Sequence, residues 1–157
     1  GLIGFGRIGR ELAKRAYALG MKVIYNDILG PAKDCPEYSF VSLDELLADS
    51  DFISLHVPGN KDKSSVIGKP EFSKMKDGAY LINCARGSVV DEVALLEALN
   101  SGKIAGAGID VFSEEPTKNM ELINHEKVSV TPHIGASTKE AQKRIGAEIV
   151  SIVKENI

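Results

Sequence analysis

Gly4-Phe5-Gly6-Arg7-Ile8-Gly9 is the stretch on which the reading of this chain turns. Three glycines at this spacing let a strand turn abruptly into a helix. The first permits the tight turn, the second lets the backbone approach a pyrophosphate, and the third lets the helix pack closely on a sheet. A helix opened in this way aims its unpaired N–H groups at an anion. Glycine triplets alone are common in turns, so the surroundings decide. Here an apolar run, 21–25, follows the helix and ends at Asp27, about 20 residues past the glycines, where a carboxylate would accept ribose hydroxyls. Asn26-Asp27 is also good turn chemistry, the simpler role open to that residue.

Outward from the turn, strand and helix patterns alternate. Ile8, Leu12, Ala16 and Leu19 recur at helical spacing, which predicts a helix over 7–19 with those residues on its apolar face, ended by Gly20. Strands are expected at 21–25, 38–41, 52–56, 79–83, 104–111 and 127–131. A short helix is expected over 42–48, capped by Ser42, and a helical turn over 71–75. Another helix, capped by Asp91, should run to Asn100. Residues 59–69 read as a polar loop. Ser137 and Glu140 have capping-box spacing and open a long C-terminal helix with Ala141, Ile145, Ile149, Ile152 and Val153 on one face. This alternation predicts an α/β fold, a doubly wound parallel sheet of Rossmann type with helices on both faces. Residues 1–136 would form a dinucleotide-binding domain, and 137–157 a helix leading out of it. Only Gly1-Leu2-Ile3 precedes the turn, giving the expectation of a cut first strand and a piece of a larger protein.

Length and composition agree with one domain. The chain has 157 residues, 43% hydrophobic and 26% charged, with net charge −3, an ordinary globular mix. No basic block marks a nucleic-acid footprint, and no apolar run reaches the ~18 residues of a membrane span. Cys35 and Cys84 are a sparse pair, unlike a secreted disulfide scaffold, so a cytoplasmic location is expected. No His or Cys cluster has metal-ligand spacing, and Cys35 reads as an inert loop thiol.

In a parallel sheet the ligand lies outside the carboxyl ends of the strands. The candidate residues therefore fall at Gly4–Gly9, Asp27, His56–Pro58, Cys84–Gly87, Asp110–Pro116 and Pro132–Gly135. His133 can exchange a proton with a substrate hydroxyl near neutral pH; a structural or surface histidine is the alternative. Glu115 beside a histidine would favour its charged form; otherwise it belongs to an acidic surface loop. Arg86 has the planar fork that takes a carboxylate by two bonds, or else makes a surface ion pair. His56 is expected to be packed or hydrogen-bonded, and His125 exposed.

Taken together, the segments Leu81-Ile82-Asn83-Cys84-Ala85-Arg86-Gly87-Ser88-Val89-Val90-Asp91-Glu92, Gly108-Ile109-Asp110-Val111-Phe112 with Glu114-Glu115-Pro116, and Pro132-His133-Ile134-Gly135-Ala136-Ser137-Thr138 resemble the NAD-binding domain of the D-isomer-specific 2-hydroxyacid dehydrogenase family. The Gly-Ala-Ser-Thr ending inclines the resemblance toward its phosphoglycerate-oxidising branch, in serine biosynthesis. The resemblance implies NAD as cofactor and a small 2-hydroxy or 2-oxo acid as substrate. It implies that Arg86 holds the substrate carboxylate, His133 is the general acid/base, and Glu115 sustains its protonation. Gly4, Gly6, Arg7, Ile8 and Gly9 would meet the pyrophosphate and Asp27 the ribose. Val57 and Pro58 would line the adenosine side, Cys84 and Ala85 would border the nicotinamide with His133 and Gly135 nearby, and Asp110 would take the carboxamide. Members usually form homodimers, and often carry Thr where Lys63 stands. An NAD(H)-sensing corepressor-like protein and a dehydrogenase of another D-2-hydroxy acid, such as glycerate or lactate, stay open as alternatives.

Overall fold

The computed structural model describes residues 1–60 and 64–156; Lys63 lies outside them. In chain order, β1 (Leu2–Ile3) passes through the glycine turn into α1 (Arg7–Ala18). Then come β2 (Ile24–Asn26), β3 (Ser39–Phe40), α2 (Leu43–Asp49), β4 (Phe52–Leu55), α3 (Lys69–Lys74) and β5 (Ala79–Asn83). A 3₁₀ turn (Gly87–Val89) precedes α4 (Glu92–Asn100), β6 (Ile104–Ile109), α5 (Met120–Ile123), β7 (Val128–Val130) and α6 (Lys139–Glu155). The strands form one parallel sheet in the order β3-β2-β1-β4-β5-β6-β7. The strand order reverses between β1 and β4, and a crevice opens at such a switch point, beyond the carboxyl ends of the strands.

Alternation along the strands divides the core between the two faces of the sheet. Leu2 and Tyr25 belong to the cluster under α1, with Phe5, Ala13, Val23 and Tyr38. The Phe5 and Tyr25 rings stack with centroids 3.8 Å apart. Their neighbours Ile3 and Ile24 join the larger cluster, where Leu46, Ile53, Leu55, Leu81, Leu95, Leu99 and Ile104 are fully buried. Each such side chain contributes roughly 1.5–3 kcal/mol by leaving water, which makes the central strands the rigid frame of the molecule.

Several expectations are corrected. The second strand begins at Ile24, not at residue 21, and the β6 strand stops at Ile109, two residues short of the expected end. Ile8 in α1 and Leu19 at its C-cap are 71% and 82% exposed; the buried residues of α1 are Gly9 and Ala13. Leu12 and Ala16 pack on the core as expected, while the small Gly9 and Ala13 take the most buried places, which lets α1 sit close to the sheet. The cap of α6 is Thr138, whose hydroxyl accepts from the Ala141 amide at 3.1 Å; the Ser137 amide is spent on Ile134 O. Asp91 and Ser42 do cap α4 and α2, Ser42 in a reciprocal pair with Glu45. The stretch taken for a loop holds Ile67, fully buried and bridged to Val90. No residue of α6 is buried, and Ile145, Ile149, Val150, Ile152 and Val153 are each 43–55% exposed. Among the described residues, no helix is long and apolar enough to cross a membrane.

Candidate active site

The glycine turn is built as its spacing predicts. Gly4 has φ +93, a conformation that side chains disfavour, and a Cβ there would press on the His56 carbonyl and Val57. A Cβ on Gly9 would overlap the Gly4 carbonyl, so the helix can approach the turn only because no side chain intervenes. Gly6 faces open space and caps α1 with no side-chain hydrogen bond. The helix start thus offers orphan N–H groups and positive dipole to an anion. Gly6, Arg7 and Ile8 are exposed around it. An open cradle and an uncapped helix end fit a dinucleotide pyrophosphate.

Asp27 stands at the end of β2, beside the turn. Its Oδ2 accepts from the Phe5 amide at 2.6 Å and its Oδ1 from the Leu29 amide at 2.9 Å. The carboxylate therefore stabilises the glycine turn and the start of the next loop together. With Phe5, Gly6, Arg7 and Leu29 it lines a cleft of about 430 Å³. Val57 is half-buried against Gly4, and Pro58 is exposed beside it.

Two strands across the sheet from β1, Asn83 shapes the turn after β5. It is 1% exposed; its side chain accepts from the Ala85 amide at 3.1 Å and donates to Arg86 O at 3.0 Å. Cys84 and Arg86 are left exposed and Ala85 half-buried. Burial, aided by the Asp110 charge, pushes the Cys84 thiol up. Arg86 Nη1 donates to Ala85 O at 2.6 Å. Arg86, Phe112, Glu115 and His133 line one cleft of about 360 Å³. Behind Glu115 and His133 lies a second hollow of about 350 Å³, walled by Phe112, Pro116, Ile123, Val130 and Pro132.

His133 and Glu115 meet directly: Nδ1 lies 2.7 Å from Oε2. The second carboxylate oxygen accepts from the Phe112 amide at 3.1 Å. His133 and then the Phe112 amide hold the Glu115 carboxyl below the usual range, so Glu115 is ionised at neutral pH. The His133 backbone has φ 54, strained for a non-glycine residue. Asp110 compensates. Its Oδ1 accepts from Thr131 Oγ1 at 2.5 Å and the Ile134 amide at 2.9 Å; its Oδ2 accepts from the Gly135 amide at 3.0 Å. These bonds grip the chain on both sides of His133. Burial pushes the Asp110 carboxyl up, but the three hydrogen bonds and nearby His133 overcome it and hold it low.

Sequence reasoning missed the supports. Glu92 accepts from Ser113 N and Oγ, each at 2.8 Å, and from Asn119 Nδ2 at 2.8 Å. It pins both ends of the loop that carries Glu115. Thr131 and Asn83 serve in the same way. Asn83 alone left a signal, a buried-strand end followed by turn residues. Arg10 donates to Phe5 O at 3.1 Å and to Asp34 at 2.6 Å, and Cys35, a loop thiol packed against the core under α1, lies 3.2 Å from its Nη1. His56 is bonded to Ser54 Oγ at 3.0 Å, and burial lowers it. His125, expected exposed, is half-buried and accepts from the Lys127 amide at 3.1 Å. Among the described residues, no group of His, Cys, Asp and Glu could hold a metal ion.

Residues 1–135 match the family described as D-isomer specific 2-hydroxyacid dehydrogenase, NAD binding domain. The chain is 50% identical over 159 residues to a hydroxypyruvate reductase of Thermotoga maritima, covering 99% of this chain and 52% of that protein. It is 48% identical over 155 residues to D-3-phosphoglycerate dehydrogenase 2 of Arabidopsis thaliana, covering 97% of this chain and 25% of that protein. The crystal structure of an Aquifex aeolicus D-lactate dehydrogenase complexed with NAD and lactic acid superposes with a TM-score of 0.88 and 42% identity, covering 98% of this chain and 51% of that one. The chain thus spans about half or less of the length of these relatives. The matched span takes in both the glycine turn and the Arg86, Glu115 and His133 cleft, and the chain belongs to the D-isomer-specific 2-hydroxyacid dehydrogenase family as its NAD-binding domain.

Proposed function

We propose that the whole protein transfers hydride between NAD and a small D-2-hydroxy acid, with Arg86, Glu115 and His133 as its working side chains. The observation that carries this reading is the contact of His133 Nδ1 with Glu115 Oε2, 2.7 Å long, on the wall of the cleft that Arg86 also lines. With Nδ1 engaged by the carboxylate, Nε2 is the nitrogen left to face substrate. It takes the proton of the 2-hydroxyl in oxidation and returns it to the 2-oxygen in reduction. Glu115 stays ionised and favours the charged ring during that exchange. Arg86 turns its fork to the substrate carboxylate and fixes the 2-carbon, which is catalysis by positioning. Bound NAD supplies the ring carbon that accepts or gives the hydride.

The glycine turn, Arg7 and Ile8 hold the pyrophosphate and Asp27 the ribose, with Val57 and Pro58 on the adenosine side. Cys84, Ala85 and Gly135 border the nicotinamide. Asp110 Oδ2 accepts a single bond within the protein and keeps a lone pair for the carboxamide N–H. Residues 1–136 form the dinucleotide domain, and 137–157 lead toward a separate substrate domain; the bare apolar side of α6 supports that division.

D-3-phosphoglycerate is the first substrate to test, on the strength of Gly135-Ala136-Ser137-Thr138 and the Arabidopsis relative. Reduction of hydroxypyruvate is the second reading, favoured by the 50% identity to the Thermotoga protein. The whole protein, given NAD with D-3-phosphoglycerate or NADH with hydroxypyruvate, glyoxylate or pyruvate, should change the absorbance of the reduced cofactor. The substrate with the highest kcat/KM decides between the two. Turnover of none would overturn the enzymatic reading in favour of an NAD(H)-sensing protein.

A further inference from the structure

We infer that Asp34 is a second determinant of which dinucleotide this domain accepts, acting by neutralising Arg10 at the ribose end of the cleft. The inference rests on the reading of Asp27 as the ribose carboxylate.

The cleft of about 430 Å³ that holds Asp27 is also lined by Arg10, Pro31 and Asp34. Arg10 stands one residue past the last glycine, in the first turn of α1. Its guanidinium is anchored from the side of the glycine turn: Nε donates to Phe5 O at 3.1 Å, and its central carbon lies 5.2 Å from the Phe5 ring centroid. A guanidinium over an aromatic face gains electrostatically from the ring. Across the cleft, Nη1 bonds Asp34 Oδ2 at 2.6 Å and Cys35 Sγ at 3.2 Å. Arg10 is therefore held by the glycine turn and by the 31–36 loop at once.

The charge arrangement carries the argument. NAD and NADP differ at this place by one phosphate on the adenosine 2′-oxygen. Asp27 disfavours that phosphate by like charge. An unneutralised Arg10 would do the opposite, because a guanidinium presents a bidentate fork to phosphate oxygens. Asp34 takes Nη1 of that guanidinium and returns the pair to net zero, so Arg10 no longer offsets the Asp27 charge; Lys33 also lines the cleft and is common to every variant below. Asp34 is itself 72% exposed on its side chain, and an ion pair so exposed contributes little to stability. Its removal should leave the fold intact. Arg10 keeps its anchorage on Phe5 without Asp34, and so stays at the cleft with its charge released.

The test is direct binding of NAD and NADP to the whole protein by titration calorimetry, in the variants Asp34→Asn, Asp34→Glu, Asp34→Asn/Arg10→Gln and Asp27→Ala. Asp34→Asn should shift the affinity ratio toward NADP about three- to tenfold, the scale of one screened charge at a surface site. The shift should shrink at high salt. Asp34→Glu should keep the original ratio, and adding Arg10→Gln should abolish the gain. An unchanged ratio in Asp34→Asn, equal weakening of both dinucleotides, or a gain that survives Arg10→Gln would each overturn the inference. Asp27→Ala separates the two readings. If it shifts the ratio and Asp34→Asn does not, only the Asp34 inference fails; if it does not, the ribose reading fails first.

Discussion

Glu115 Oε2 lies 2.7 Å from His133 Nδ1, and Glu115 Oε1 accepts from the Phe112 amide. The carboxylate is thereby fixed in position before any substrate arrives. The His133 carboxylate contact also holds Glu115 below its usual range, so the negative charge persists throughout any ordinary assay. Glu115→Gln keeps the shape and removes that charge. Reduction of the 2-oxo acid, which needs the ring charged, should then fall about 10- to 100-fold at pH 7.5, within the range of general acid–base effects. NAD affinity should hold. Measuring kcat/KM for the reduction beside NAD titration in the whole protein checks this. An unchanged kcat/KM would leave Glu115 a merely structural residue.

Among the described residues, Arg86 makes one side-chain hydrogen bond, from Nη1 to the carbonyl of its own neighbour, Ala85. That bond orients the fork and leaves nitrogens for a ligand. Arg86→Lys keeps the charge but loses the planar pair of donors. KM for the acid should rise at least tenfold in Arg86→Lys, and kcat/KM should fall about 100-fold or more in Arg86→Ala. NAD binding by titration should change little in either. Equal KM values in wild type and Arg86→Lys would remove Arg86 from carboxylate recognition.

Asp110 is 4% exposed and ties Thr131, Ile134 and Gly135 together. Asp110→Ala leaves two amides and a hydroxyl without their acceptor, a loss of about 2–4 kcal/mol at pH 7 on the scale of buried unsatisfied groups. The pH dependence has a definite sign. The folded carboxyl is held below the ordinary range of an aspartate, so its contribution is complete above that range and fades as pH falls through the folded value. Urea unfolding should show a gap between wild type and Asp110→Ala that narrows from pH 7 toward pH 3. A gap constant across that range would refute the role of the charged form.

The sequence announced the frame and the turns that carry the candidate residues because those depend on local rules. The glycine spacing, the buried run 79–83 and the Asp91 cap each act within a few residues, and β5, α4 and the turn at Gly4 appear where those rules put them. What escaped depends on contacts between distant segments. Gly9 and Ala13 face inward in α1 because of how near the sheet lies, and no periodicity in Ile8 or Leu19 reveals that distance. Thr138 displaced Ser137 as cap because the Ser137 amide was already drawn into a turn with Ile134. Glu92 grips Ser113 across 21 residues and Asn119 across 27; as one more acid in a helix's first turn, it carries no mark of that task. Strand order set the neighbours in the cleft, and pairing of β5 with β6 and of β6 with β7 brings residues 86, 115 and 133 to one edge.

Gly87 shows how tightly that edge is packed. It is buried immediately after Arg86, and a Cβ added there would overlap the Phe112 carbonyl and crowd the Ser113 amide. Backbone cannot yield as a flexible side chain can, so Gly87→Ala should push the 86–89 turn away from the loop that carries Glu115. The expected cost is at least about 2 kcal/mol, typical of overpacking against rigid atoms, with activity falling more steeply than stability. Gly108→Ala is the control. A Cβ there meets only the Ile82 side chain, at 4.0 Å, and alanine suits a strand interior better than glycine does. That variant should unfold within about 0.5 kcal/mol of wild type. Thermal and urea unfolding of the two variants side by side checks the contrast, and equal stability would mean that the contact between Gly87 and Phe112 is looser than the geometry states.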